Sequence, residues 1–428
     1  MDIPDLDLPP PAKMSRRKKW WIAIVLLGIF GGIAFLWLKD DALEDDSDLV
    51  LNLPDVSEEE NGMRFFDEVA EQVDLLDEDL AALNMMLPED GKSEWDSDFA
   101  RTQVEHFGYA LDALENASLS SGLYSISRAR ETSDEQLNAI GWINVIRNAK
   151  FRLLLEQKKY GEAANLELIS VRLICLSFGR SGEPLHVLWG MMDLDEACRH
   201  LEAIVTEETF VWEGEGRRVM ELIKEARPDF DGEAKNDLIR TYGWVKSYLL
   251  EVIPSKTESL ESSLFFYKPS RTVNVFADYV RLAQKQIGKT YAARISVDYR
   301  PKGKVSAVLG ANLIGEIALM ETVYQLDQRW QLRTVSYFEV LRTMISLRSY
   351  HADHRKLPEQ LKDLVPVYLD AVPTDRFDGK ALRYSKGEVK VWCVGEDLVD
   401  EGGIETDETE FSQMPDPMMQ LKWLAEEE

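Results

Sequence analysis

The chain has 428 residues, a formal net charge of −28 at pH 7 and 45% hydrophobic residues. So negative a charge excludes nucleic acid as a partner, because nucleic acid phosphates would be repelled. The hydrophobic content suffices for a packed core. The three cysteines, Cys175, Cys198 and Cys393, form no Cys-x-x-Cys motif and lie in apolar runs. We therefore expect buried thiols, neither a disulfide framework nor a zinc knuckle.

Residues 20–38 form an uncharged apolar run, with basic residues among positions 13–19 before it and acidic residues among positions 40–48 after it. Its length predicts a helix that spans roughly 30 Å of hydrocarbon. The flanking charges predict a single-pass membrane protein with a cytoplasmic N-terminus and an extracytoplasmic body. A cleaved signal peptide is the alternative, but the run is longer than the usual apolar region of about 7–15 residues and lacks a small-residue cleavage site. Gly28 and Gly32 have the spacing of a helix-dimer motif, which suggests a homodimer.

Composition and hydrophobic pattern divide the chain into six segments. The linker among them is too charged to pack against a core. The six segments are a cytoplasmic tail (1–19), a transmembrane helix (20–38), an acidic linker (39–60), a helical domain (61–312), a long helix with a C-terminal unit (313–404) and an acidic tail (405–428).

Apolar residues recur every three or four positions through most of the middle of the chain, which is typical of amphipathic helices. Proline and β-branched residues predict an extended excursion at 291–309. The longest helical pattern runs from Leu313 to His354 without proline. As one helix it would extend about 60 Å and form a spine for the body. The other predicted helices lie at about 65–83, 96–116, 133–155, 161–178, 185–206, 215–226, 233–252, 257–265 and 271–287.

The segment 357–403 follows this spine and has the most specific sequence pattern of the chain. It predicts a short helix over 359–365, a loop held by prolines, and a hairpin with strands at 382–384 and 390–394. This pattern resembles the globular end of the major pseudopilin of type II secretion systems. The residues that carry the resemblance are Leu357, Pro358, Leu361, Pro373, Asp375, Phe377, Gly379, Tyr384, Gly395, Asp397, Gly402 and Gly403.

The resemblance does not extend to the start of a pilin. A prepilin has Gly before a Phe-Thr-Leu-x-Glu start, whereas this chain has Arg-Arg-Lys-Lys-Trp-Trp before its apolar run. As a whole the chain is similar to large bacterial envelope proteins with an N-terminal anchor, a helical middle and this C-terminal unit. We therefore predict a mainly α fold, in which a helical body on a single transmembrane helix ends in a small α+β pseudopilin-like unit.

The resemblance also implies a calcium site, because the acidic loop of the pseudopilin binds that ion. Asp397 matches the first acid of that loop, and Asp400 and Glu401 are its neighbours. Calcium takes six to eight oxygen ligands, so these carboxylates are the candidates. The alternative is that Gly402 and Gly403 turn the chain and the acids are solvated.

His351 and His354 lie at i and i+3 near the end of the predicted spine. On one helical face they can hold zinc, although a third ligand is not evident and no His-Glu-x-x-His motif is present. Histidines in a last helical turn also interact favourably with the helix dipole. The remaining histidines, His106, His186 and His200, are isolated in the sequence and are expected to be structural.

These observations favour a non-catalytic membrane-anchored envelope protein that acts through protein–protein contacts, beside a secretion-type assembly. The alternative from another class is a metal-dependent periplasmic hydrolase that uses His351 and His354. We further expect the C-terminal unit to pack onto the end of the spine through its buried apolar residues, because a loop of prolines and glycines makes few hydrogen bonds of its own. These residues are Leu361, Leu364, Tyr368, Phe377 and Tyr384.

Overall fold

Helices dominate the computed structural model, which has three short strands near the C-terminus. The helical character of the prediction is therefore confirmed. The structure describes residues 16–51, 57–72, 78–85, 87, 95–120, 134–178, 184–208, 216, 219–221, 223, 230–254, 267–295, 297, 299, 312–323, 326, 329–403 and 417–425.

The described residues form helices that we number in chain order. Four of the predicted helices, those near 133–155, 161–178, 185–206 and 271–287, appear close to the expected bounds. The helices are α1 (Arg16–Leu38), α2 (Met63–Ala70), α3 (Glu78–Met85), α4 (Ser97–His106), α5 (Gly108–Ser118), α6 (Asp134–Glu156), α7 (Tyr160–Phe178), α8 (Pro184–Thr206), α9 (Phe230–Ser247), α10 (Pro269–Gln284), α11 (Leu313–Val323), α12 (Arg329–His354) and α13 (Lys422–Ala425). The predicted helices at 215–226 and 257–265 fall mostly or wholly outside the described residues.

The apolar N-terminal run lies in helix α1, but the transmembrane part of the predicted fold class is wrong. No helix in the described part of the chain is both long and apolar enough to cross a membrane.

The chain divides into two compact units, of which the first contains α1, α11 and the part of α10 that ends at Ala277. The segment 39–60 was predicted to be an acidic linker that does not pack. In this unit, however, one of its acids forms hydrogen bonds to the start of a helix. The carboxylate of Asp40 accepts hydrogen bonds from the backbone N–H groups of Ser270 (2.8 Å) and Arg271 (3.2 Å), at the start of α10. Asn274 donates to the carbonyl of Ala42. An acid at a helix N-terminus satisfies orphan N–H groups and complements the dipole, so this part of the segment is structural.

Helices α10 and α11 approach each other closely within the same unit. A Cβ atom added at Gly315 would overlap the side chains of Thr272 and Asn312. The oxygen Oδ1 of Asn312 in turn accepts from the backbone N–H of Lys268 at 2.7 Å. Only glycine allows this approach of the α11 backbone.

The second unit contains α2 to α9 and α12, and its apolar residues form two clusters. The outer cluster joins α2 to α6. The central cluster joins α6, α7, α8 and α12 to the C-terminal residues. The predicted single spine over 313–354 is two helices, and α12 alone, with 26 residues, is about 39 Å long.

Apart from the half-buried Tyr337, helix α12 is buried from Thr334 to Ser349. Several of its hydroxyl side chains tolerate this because they donate to carbonyls one turn back. Thr343 donates to Glu339 at 2.7 Å, and Ser349 donates to Ile345 at 2.9 Å. The helix can therefore lie inside the unit although many of its residues are polar.

Arg348 ties α12 to two other elements. Its guanidinium donates to the carbonyls of Ile204 and Val205 at the end of α8, and it lies over the ring of Trp423 at 5.2 Å. Burial lowers the pKa of Arg348 to about 10. A cation that satisfies the last carbonyls of a helix complements its dipole, so Arg348 closes the C-terminal end of α8.

The C-terminal unit has the predicted hairpin and one strand more. Strands β1 (Arg383–Ser385), β2 (Lys390–Trp392) and β3 (Met418–Gln420) form an antiparallel sheet in the order β1-β2-β3. In its register Val391 pairs with Tyr384 on one side and with Met419 on the other. Strand β3 comes from the segment that was expected to be an acidic tail.

The predicted packing of this unit is confirmed. Phe377 and Leu364 are fully buried, and Leu361 and Tyr368 are each 5% exposed. These residues belong to the central cluster together with the apolar residues of α12, and Tyr384 packs against the cluster from its edge. The sheet and its preceding loop are thus part of the core of the second unit.

Candidate functional site

The most heavily charged cluster of the C-terminal unit surrounds Asp375, which is fully buried. Its carboxylate accepts hydrogen bonds from the backbone N–H groups of Phe377 and Val394, both at 2.8 Å, and from Arg383. The guanidinium of Arg383 also donates to Asp378. Because donors of the protein itself meet each of these acids, the cluster fixes the loop to the sheet.

Asp400, one of the predicted calcium ligands, is held by this cluster. It accepts from the indole N–H of Trp392 at 2.8 Å and from Arg383 at 3.3 Å. Asp397 accepts from a backbone N–H two residues further on, and Glu401 is exposed. Among the described residues, no three His, Cys, Asp or Glu side chains come together as metal ligands. The calcium site therefore stays a prediction.

Burial and hydrogen bonds within the cluster shift the pKa values of its three aspartates. The hydrogen bond from Trp392 lowers the pKa of Asp400. Burial alone would raise the pKa of Asp378, but hydrogen bonds from Arg383 and from Lys380 hold it below its ordinary value. Burial raises the pKa of Asp375, against the hydrogen bonds that it accepts.

These shifts predict how acid affects the stability of the chain. An unfolded aspartate has a pKa of about 3.9. Asp378 and Asp400, with lower values when folded, contribute stability that is complete above about pH 3.9 and is lost as the pH falls below it. Asp375 acts in the opposite direction, because protonation removes the cost of its buried charge.

We expect Asp400→Asn to make urea unfolding less sensitive to acid. Asparagine keeps an acceptor for Trp392 but cannot ionise, so the variant should lose less stability than the wild type between about pH 6 and about pH 3. The measurement is the free energy of unfolding of both proteins at the two pH values. Equal losses in the two proteins would show that Asp400 does not contribute through its charge.

The predicted zinc ligands lie at the end of α12 among aromatic rings. The ring of His354 lies 4.3 Å from that of Tyr350, and the hydroxyl of Tyr368 donates to Asp353 at 2.9 Å. His351 is half-buried beside them. No third metal ligand joins the two histidines within the described residues.

A second charged cluster, which the sequence did not indicate, lies between α6, α7 and α8. Arg147 (1% exposed) donates to Glu196 at 2.5 Å, and its Nε lies 4.0 Å from Oε2 of the fully buried Glu167. The Nδ1 atom of His200 lies 3.1 Å from Oε1 of Glu167. Opposite charges from three helices thus face each other in the interior. A single glutamate within the apolar run of α7 was the available signal.

An open groove lies on the surface of α5, α6 and α7, with a cavity volume of about 370 Å³. Its floor is apolar and its rim is polar. The floor consists of Leu111, Leu114, Leu154, Leu166, Leu168, Ile169 and Val219, and the rim consists of Asp112, Glu115, Lys150, Glu162 and Asn165.

The groove forms where the two apolar clusters meet. Leu114 belongs to the outer cluster, Leu154 and Leu168 belong to the central cluster, and Leu166 packs against both. Gly161, at the start of α7, lines the groove without a side chain. The floor is therefore continuous with the core, which gives it a fixed shape.

The rim carries carboxylates that are available to a ligand. Asp112 and Glu115 are exposed, and neither forms an ion pair anywhere in the described part of the chain. Glu162 is paired with Lys159 at 3.1 Å, and both side chains are exposed. Three acids and one lysine, Lys150, line the groove. It therefore offers an apolar surface with a net negative rim.

Comparison of the chain with family models, with curated proteins and with solved structures finds no match. The resemblance of residues 357–403 to a pseudopilin therefore stays a prediction. Any proposal about function has to start from the geometry of the chain itself.

Proposed function

We propose that this chain is a non-catalytic protein that acts by binding other proteins, and that the groove of α5, α6 and α7 is its binding surface. The observation that carries the proposal is the combination of an apolar floor with two rim carboxylates, Asp112 and Glu115, that form no ion pair within the described residues. Binding pockets are concave and mostly apolar, with a few polar groups that orient the ligand. Its volume, about 370 Å³, lies within the usual range for such pockets.

The chemistry of the groove favours binding over catalysis. Among the described residues that line it there is no histidine, cysteine, serine or threonine, so these residues offer none of the usual pairs of nucleophile and base. The buried acid Asp375 is held by an ion pair and hydrogen bonds. The buried acid Glu167 faces Arg147 and His200 at ion-pair distance. Hydrolysis by His351 and His354 has no comparable geometry in its favour.

The C-terminal unit gives the proposal a second support. A loop and an antiparallel sheet follow the buried helix α12. This is the order of elements that the resemblance to a pseudopilin implies. A place beside a secretion-type assembly is part of the proposal on this ground. The membrane anchor is not part of it, and neither is the homodimer through Gly28 and Gly32, which depended on that anchor.

Site-specific cross-linking in the native cell tests the proposed function. A photoreactive amino acid at Asn165, in the groove, should form an adduct of defined mass with another protein. The same group at Glu105, an exposed position on α4 outside the groove, is the control. Glu115→Lys should abolish the adduct from Asn165. An adduct that forms equally from Glu105, or that persists in Glu115→Lys, would contradict a binding role for the groove.

A further inference from the structure

We infer that the occupant of the groove is a cationic amphipathic helix of another protein. The inference rests on the proposed function and names the partner of the same surface. Its first ground is charge. The lining of the groove contains three acids and one lysine, and the whole chain carries a net charge of −28. An anionic segment would be repelled by both, whereas a cationic one is attracted at a distance and paired on contact.

The spacing of the free acids favours a helical occupant. Asp112 and Glu115 lie at i and i+3 on α5, so their side chains share one face about 5–6 Å apart. Lys or Arg residues at i and i+3 or i+4 of a second helix have the same spacing. Such a helix, laid along α5, can pair both carboxylates at once.

The floor requires the occupant to be apolar on its other face. Leu111, Leu166 and Ile169 are half-buried and open to the groove. Helices that bind in apolar grooves present apolar side chains at i, i+3, i+4 and i+7. A cationic segment without such a stripe would leave the floor exposed to water and gain charge pairing alone.

Lys150 makes the charge of the groove lining uneven. It lies on α6, whereas Asp112 and Glu115 lie on α5, and it forms no ion pair within the described residues. A helix that is cationic along one flank only avoids repulsion by this lysine. A uniformly cationic helix meets it. The groove therefore discriminates between two helices of the same sign of charge.

Binding of synthetic peptides to the full-length chain tests the inference, with fluorescence anisotropy as the measurement. The first peptide has leucines at helical spacing and lysines along one flank. The second has glutamates in place of the lysines, and the third has the composition of the first in scrambled order. We expect only the first to bind appreciably, with an affinity that falls as salt is added.

Two pairs of variants with equal changes in charge locate the binding. Asp112→Asn and Glu115→Gln should each weaken the first peptide roughly two- to fivefold, as expected for exposed charge pairs. Glu71→Gln and Glu105→Gln, which change exposed acids outside the groove, should leave its affinity unchanged. Equal weakening by both pairs, or equal binding of the scrambled peptide, would mean non-specific adsorption to an acidic protein and would overturn the inference.

The two proposals fail in distinguishable ways. If cross-linking from Asn165 depends on the groove while the first peptide shows no preference, the groove binds a protein of different chemistry, and the inference fails alone. If neither cross-link nor peptide depends on the groove, the proposed function fails with it. A preference for the glutamate peptide would reverse the inferred charge of the partner.

Discussion

Replacement of Phe377 by alanine should destabilise the second unit by about 3–5 kcal/mol, the usual cost of truncating a buried phenylalanine. Phe377 is fully buried in the central cluster, and its ring meets that of Tyr291 edge-on at 5.9 Å. Its carbonyl also accepts from the backbone N–H of Ala292 at 2.9 Å. The truncation removes apolar contacts and leaves a cavity between the loop and the helices, and both effects act in the same direction.

Urea unfolding of the full-length variant measures this loss. Val367→Ala is the matched control, because Val367 lies in the same C-terminal unit but is 66% exposed. It should change the stability by less than about 0.5 kcal/mol. A loss below about 1 kcal/mol for Phe377→Ala would mean that the C-terminal unit is not part of the core.

Replacement of Arg147 by methionine should cost a similar amount, about 3–5 kcal/mol, for a different reason. Methionine fills much of the space but leaves the buried carboxylate of Glu167 without a cation from α6. Breaking a buried ion pair is costly because a charge remains in the interior without compensation. The groove is built on α6 and α7, so this cluster also holds its walls together.

Two further variants separate this effect from the loss of an ordinary ion pair. Arg101 pairs with Asp98 on the surface of α4, with side chains 50% and 91% exposed, and Arg101→Met should cost less than about 1 kcal/mol. Glu167→Gln combined with Arg147→Met should recover part of the loss, because the buried charge is removed. A double variant no more stable than Arg147→Met alone would show that the cost arises from packing.

The sequence was most informative where one physical signal acted alone. The apolar period of 3.6 residues located α6, α7, α8 and α10, and turn residues located the hairpin at Lys386 and Gly387. The burial of Phe377 was predicted from its place in a loop of prolines and glycines, which was expected to make few hydrogen bonds of its own. The loop does make such bonds, for example from the backbone N–H of Gly379 to the carbonyl of Asp375. Each of these features depends on residues close together in the chain.

Features that depend on packing between distant segments were missed. The linker acid Asp40 caps a helix some 230 residues away, and such a contact leaves no local pattern. The apolar helical pattern over 313–354 is continuous in the sequence, which predicted one helix. The chain nevertheless forms two helices there, one in each compact unit. Strand β3 was overlooked because the acids around it dominated the composition, although Met419 and Leu421 alternate as in a strand.

The groove was missed for the same reason. Its floor combines residues of three helices, together with Val219, from both apolar clusters. Periodicity assigns residues to a core without showing where the core opens. The predicted sites were sought in residue types with known chemistry, such as His351 and Asp397. The groove has ordinary leucines and surface acids, and only their arrangement distinguishes it.

A charge-swap binding experiment tests the central claim most directly. A chain in which Asp112 and Glu115 are both replaced by lysine is titrated with the lysine-flanked and the glutamate-flanked leucine peptides. If the groove binds a helix through its rim, the swapped chain should lose the lysine peptide and gain the glutamate peptide, while the wild type does the reverse. If both chains bind the lysine peptide equally well, the groove is not the binding surface.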